Sequence, residues 1–267
     1  MDNESKQLLR EILEVCKKNE RNTRPKESFY ILVSDKSTRI KTKFNPLIQL
    51  DKEKKYEMAL VNLETYYSFP NIDSTKNNFR YSPDNGVTWV DINIPEGSYE
   101  ITDINNLIQR IMEDNGHYDS SNKVYYITIG ANNNTLKSVV DIATNYKVDF
   151  TQANSIRTVL GFNSQIYSDG YHESENIVNI LSVNSLRVTS DVIASSYTNG
   201  GTENIIYSFF PNVGPGFKIV QEPHNLIYLP VTLSTISHME TKLVDQNGKL
   251  INLRDEELSI RFHIREV

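Results

Sequence analysis

One cysteine, Cys16, and one tryptophan, Trp89, are all that the 267 residues hold of either type. A lone cysteine excludes an intrachain disulfide framework and any zinc site built on several thiolates. Cys16 itself reads as a small apolar residue on a helix face. No run approaches the ~20 apolar residues that a membrane span needs. The opening Met1-Asp2-Asn3-Glu4-Ser5-Lys6 is polar and has no signal-peptide core. The expectation is a protein made in the cytoplasm, with the Asn133-Asn134-Thr135 sequon unused. The formal charge of −6 argues against the whole chain coating a nucleic acid.

Catalytic signatures are missing too. There is no Gly-x-Ser-x-Gly elbow, no phosphate-binding glycine loop and no His-Glu-x-x-His helix. His117, His172, His224, His238 and His263 are scattered, none at metal-ligand spacing from another. His172 with Glu173 and Glu175 is the densest grouping, and it lies in a polar loop. The segment Pro211 to Gly216 is glycine-rich, but Pro211 and Pro215 lack the amide donors of a phosphate cradle. Asp255, Glu256 and Glu257 are adjacent, and neighbours on a strand point to opposite faces, so adjacency makes no acid–base pair. The expectation is therefore no enzyme, no cofactor and no metal, with no residue assigned to any of those roles.

What is present is strand grammar. Fifteen Tyr and ten Phe suit broad strand surfaces better than a helical bundle. At the end of the chain Leu258, Ile260, Phe262 and Ile264 alternate with Ser259, Arg261, His263 and Arg265, a period of two. Asp245-Gln246-Asn247-Gly248 before it reads as a type I′ hairpin turn between Leu243-Val244 and Lys249–Leu253. Phe29–Ser34 and Lys55–Phe69 are strands, the second apolar on both faces over Met58–Leu63 and so internal. The intervening Asp35–Lys43 is polar, with Lys36, Arg39, Lys41 and Lys43 on a positive face. Met58, Leu60, Leu63, Ile260, Phe262 and Ile264 are expected to be buried.

Further on, Phe79–Tyr81 and Val87–Ile94 flank a turn at Ser82 to Gly86, with Trp89 on the second arm. The clearest helix carries Ile104, Leu107, Ile108, Ile111 and Met112 at helical spacing, with Thr102 or Asp103 as cap and Asn115-Gly116 as stop. Val124–Ile129, Leu136–Ile142 and Tyr146–Phe150 are strands. Ser155–Leu160 is a short helix ended by Gly161, and Asn163–Ser174 a polar loop. Ile177–Leu181, Ser185–Ile193, Asn204–Phe210, Phe217–Gln221 and Leu226–Val231 complete about a dozen strands in an all-β sandwich.

The N-terminus differs from the rest. Residues 5 to 19 spell an amphipathic helix with Leu8, Leu9, Ile12, Leu13, Val15 and Cys16 on its stripe. The polar link Asn19–Lys26 then leads to the body. This gives an N-terminal helical arm, residues 1–28, and a body, residues 29–267. Leu8, Ile12 and Val15 are the candidate partner interface. The arm carries seven Lys and Arg against six Asp and Glu, so any genome contact would run through it alone.

Several runs together carry a resemblance: Lys54 to Glu64, Ile94-Pro95-Glu96-Gly97-Ser98-Tyr99-Glu100-Ile101, Leu160-Gly161-Phe162, Gln246 to Leu250, and Ile260-Arg261-Phe262-His263. In that order they resemble the penton (minor capsid) proteins of Polinton/Maverick elements and adintovirus-like viruses, over residues 29 to 267. The resemblance implies a single jelly-roll β-sandwich with inserted loops or hairpins and one or two short helices. It also implies a homopentamer at icosahedral vertices of the virion, beside a double jelly-roll major capsid protein. The residues themselves leave a second reading open: a β-sandwich binding or adaptor module using exposed Tyr and Trp89 for carbohydrate or protein. The extra strands are expected as an insertion at the Trp89 hairpin or within residues 163 to 204.

Overall fold

The computed structural model describes residues 7, 8, 10–15, 25–180, 183–194, 196–198 and 200–267. Leu9, Cys16, Leu181 and most of the Asn19–Lys26 link lie outside the described residues. The chain opens with helical residues 7, 8 and 10–15 (α1). Three strands follow: β1 (Ser28–Asp35), β2 (Arg39–Gln49) and β3 (Tyr56–Tyr66). Short elements come next: β4 (Asn78–Ser82), β5 (Val90–Asn93), α2 (Ile101–Asp114), β6 (Tyr118–Asp119), β7 (Val124–Tyr125) and β8 (Ile127–Asn132). They continue with β9 (Lys137–Ile142), β10 (Lys147–Asp149), α3 (Arg157–Leu160), β11 (Ile166–Tyr167) and β12 (Gly170–Glu173). The chain then returns through β13 (Leu186–Ser190), β14 (Ser196–Thr198), β15 (Gly201–Glu203) and β16 (Ile205–Phe209). It ends with β17 (Lys218–Gln221), β18 (Leu229–Pro230), β19 (Thr235–Val244) and β20 (Leu258–Glu266).

Nine of these strands make two sheets. One runs β1-β20-β3-β17, with β18 also on β3, and the other runs β16-β13-β19-β2. All their pairings are antiparallel. Ranked along the chain as β1, β2, β3, β13, β16, β17, β19 and β20, the two orders are 1-8-3-6 and 5-4-7-2. Those are the interlocked Greek keys of a jelly roll. Period-two alternation fills the space between the sheets. Met58, Leu60, Leu63, Ile260, Phe262 and Ile264 are all buried, as expected, with Ile31 and Val33 from β1 and Ile236, Met239 and Leu243 from β19.

The insertion lies between β3 and β13 and has its own core. Phe79, Tyr81, Ile104, Ile108, Met112, Val148, Phe150 and Phe162 pack there, drawn from α2 and from the segments that carry the sheets β11-β10-β4-β5 and β12-β9-β8. It contains the Trp89 turn but stops short of residue 204, because β13 and β16 are strands of the roll. Helix α2 is capped by Glu100, not by Thr102 or Asp103. Asp103 instead accepts the Glu100 amide from the third helical position, at 3.0 Å, the back half of a capping box. Helix α3 stops at Gly161, whose φ of +86° is the left-handed geometry that glycine tolerates.

Several readings change. Asn163–Ser174 is not a loop throughout: it carries β11 and β12, and His172 and Glu173 sit on β12, paired with β9. Asp35–Lys43 is not simply a polar stretch: Arg39, Lys41 and Lys43 are the outward half of β2, whose inward Ile40 is buried. Most of β19 is strand where none was expected, because a bulge between Ile236 and His238 breaks its alternation. Residues 177 to 180 are coil, held singly by Val178 N–H to the Leu136 carbonyl and Asn179 N–H to the Val159 carbonyl, both 2.9 Å. The turn at 245–248 is not type I′, since only Gly248 has a positive φ. Asp245 closes it by accepting the amides of Asn247 and Lys249 at 2.8 and 2.9 Å.

Candidate functional site

The five histidines remain apart, each engaged locally or alone. His117 Nδ1 meets the Tyr81 hydroxyl at 2.8 Å, inside the insertion. His172 Nε2 meets the Ser168 carbonyl at 2.8 Å. Its sequence neighbours turn elsewhere: Glu173 accepts from Asn132 and Thr135, both at 2.7 Å, and Glu175 from the Tyr167 hydroxyl at 2.7 Å. Among the described residues no three His, Cys, Asp or Glu are grouped so as to hold a metal. The Pro211–Gly216 segment is a structural turn, its Gly216 amide donating to the Tyr67 carbonyl at 2.8 Å. Asp255, Glu256 and Glu257 stand exposed in the loop before β20.

The outer face of the β1 sheet is the more distinctive surface. Because Ile31 and Val33 point inward, Tyr30 and Leu32 must point out, and they are 65% and 60% exposed. Register sets His263 opposite Tyr30 and Arg261 opposite Leu32. The Tyr30 and His263 rings lie 4.8 Å apart, and the Tyr228 hydroxyl bonds His263 Nδ1 at 2.7 Å. The Arg265 guanidinium lies 3.5 Å from the Tyr228 ring centre and pairs with Glu57 through Nε at 2.6 Å. Burial, then the Arg265 charge, lowers the His263 pKa from its usual value of 6.5, which favours the neutral ring in this aromatic cluster. Sequence reasoning marked β1 as a strand but missed this strip. Its signal was apolar residues on both sides of an edge strand.

The outer face of the other sheet is built around one carboxylate. Glu240 accepts from Arg39 Nε at 2.6 Å and Lys242 Nζ at 3.0 Å, which holds its pKa down at about 2. Beside it runs an open groove of about 390 Å³, whose charged lining is Arg187, Asp191, Glu203, Glu240 and Lys242. Two cations and three carboxylates are interspersed there, so the groove presents no field of a single sign.

Trp89 does not serve as a free stacking platform: it is half-buried, with the Arg80 guanidinium 5.2 Å from its ring centre. Leu8, Ile12 and Val15, the candidate interface on α1, are 60%, 54% and 57% exposed. They lie on one helix, each more than half exposed among the described residues. Among the described residues no helix is long and apolar enough to cross a membrane.

No family model matches the chain, and no curated protein sequence does. Among solved structures, the selenomethionine-labelled mavirus penton protein is similar. The match covers 90% of this chain and 100% of that one, at 10% identity and a TM-score of 0.47.

Proposed function

We propose that this chain is a structural capsid protein, not an enzyme: a jelly-roll subunit that closes into a homopentamer at the vertices of a Polinton- or adintovirus-like virion. In that reading residues 29–267 form the body, with the insertion as an appended knob. Residues 1–28 form an arm. The double jelly-roll major capsid protein is the partner around the ring. A jelly roll by itself hosts many functions, so the surfaces have to support the reading as well. The observation that carries it is the pairing of the 1-8-3-6 and 5-4-7-2 strand orders with uncovered apolar side chains at Tyr30, Leu32, Leu8, Ile12 and Val15. Such patches mark surfaces that assembly buries. The ordered resemblance of the five sequence runs to penton proteins adds the vertex and the fivefold ring.

The test is negative-stain electron microscopy of the purified full-length chain, with light scattering on the same sample. Fivefold rings with about five times the 30.7 kDa chain mass are expected. Discrete monomers that bind an oligosaccharide array would favour a recognition module instead.

A further inference from the structure

Helix α1 and the outer face of β1 each leave large apolar side chains exposed. We propose that α1 of one copy lies across the outer face of β1 and β20 of a second copy, seating Leu8, Ile12 and Val15 on Tyr30 and Leu32. This deepens the assembly reading above and rests on it.

The helix side comes first. Leu8, Ile12 and Val15 recur at i, i+4 and i+7, and all three are more than half exposed. Their Cα atoms span about 10 Å of helix axis. So short a helix is marginal alone in water, where ~12–15 residues is the usual lower limit. It needs a cover.

The sheet side offers one of matching size. A helix with its side chains is ~10–12 Å wide, enough to cover β1 and its neighbour β20 at a strand spacing of about 4.8 Å. β1 is the edge of its sheet, and an edge strand with apolar residues facing outward is a surface that folded proteins normally cover. Charge agrees as well. Glu57 already pairs with Arg265, and Glu64 with Lys218. Arg261, opposite Leu32, has no ion pair among the described residues and faces solvent. Glu11 and Glu14 beside the helical stripe supply the opposite charge.

The occupant is a second copy because of where the arm starts. Its last residues are pinned at the foot of β1: the Glu27 amide donates to Glu266 at 3.1 Å, and its carboxylate accepts from Lys54 at 2.7 Å and from the Tyr56 hydroxyl. From there residues 16–27 reach up to ~40 Å at ~3.3–3.6 Å each, far enough to arrive on a neighbouring subunit. Within the single chain, Tyr30 and Leu32 stay exposed although α1 is within reach.

The experiment uses full-length chains in a Cys16→Ser background. One chain carries Ile12→Cys, the other Leu32→Cys, and the two are mixed under mild oxidation. A disulfide-linked heterodimer is expected. It should be at least several-fold more abundant than with an Asp141→Cys partner, whose thiol sits on the insertion. Arg261→Glu should reduce the yield, and adding Glu11→Arg and Glu14→Arg to the other chain should restore it. If cross-linking occurs only within a single chain carrying both cysteines, the arm covers its own sheet and the proposal is overturned. Equal yields with Asp141→Cys would overturn it as well. Fivefold rings in micrographs without the cross-link would sink this contact and leave the ring standing. Cross-linked dimers without rings would sink the ring reading instead.

Discussion

Phe262 and Phe150 test whether the roll and its insertion are built as described. Phe262 is fully buried between the two sheets of the roll, and Phe150 is fully buried in the core of the insertion. Truncating a buried Phe to Ala costs about 3–5 kcal/mol, through lost transfer energy and the cavity left behind. Phe150 also stacks on Phe162 at 5.0 Å and meets Phe79 and Tyr167 edge-on at 6.1 and 5.7 Å. Each such pair adds about 0.5–1.5 kcal/mol beyond area, so Phe150→Ala belongs at the upper end, about 5 kcal/mol. Phe262→Ala belongs nearer 3–4 kcal/mol. Urea unfolding separates them, because the one Trp, Trp89, lies in the turn between β4 and β5 and reports on the insertion. Phe150→Ala should lower the midpoint seen by Trp fluorescence. Phe262→Ala should act mainly on the far-ultraviolet circular dichroism transition. The two residues belong to different clusters, so the double variant should lose the sum of the two within about 0.5 kcal/mol. A cost below ~1 kcal/mol for Phe262→Ala would refute the register of β20. A coupling above ~1 kcal/mol would refute the separation of the cores.

Gly161→Ala should destabilise the insertion by about 1–3 kcal/mol, read as a lower Trp-fluorescence midpoint, because its φ is +86° and an added Cβ would run into the Asn176 carbonyl oxygen. Asp245→Ala removes the acceptor for two turn amides and should cost about 1–2 kcal/mol in urea unfolding. Glu240, depressed from an ordinary 4.5 to about 2, stabilises the fold fully above its unfolded pKa. That contribution is lost as pH falls from about 4.5 toward 2. Glu240→Gln should flatten the acid limb of a melting-temperature profile in that window; an unchanged limb would assign acid lability to other carboxylates.

The sequence announced β20 by strict alternation of apolar and polar residues, and β1 and β3 by apolar runs that occupy both faces. It also announced α2 and the Gly161 stop. It hid β2, because cations at Arg39, Lys41 and Lys43 outweigh the inward Ile40 in any window average. The bulge in β19 put Ile236 and Met239 three residues apart, and a period-two reading fails there. Residues 177 to 180 look like a strand because Ile177, Val178 and Ile180 are apolar, yet no neighbouring strand pairs them. Periodicity also gives no account of which strands share a core, so the insertion read as loops or hairpins when its residues pack as a second cluster. The candidate surface was half legible. The α1 stripe follows from helical spacing, but the Tyr30–His263–Tyr228 cluster joins residues more than 190 positions apart and exists only once the sheet is paired.

The most direct test of the account is the mass and symmetry of the full-length chain in solution. The account predicts a closed particle of about five times 30.7 kDa, with fivefold class averages in negative stain. A chain that stays monomeric at every concentration, with no ring in any image, would contradict it.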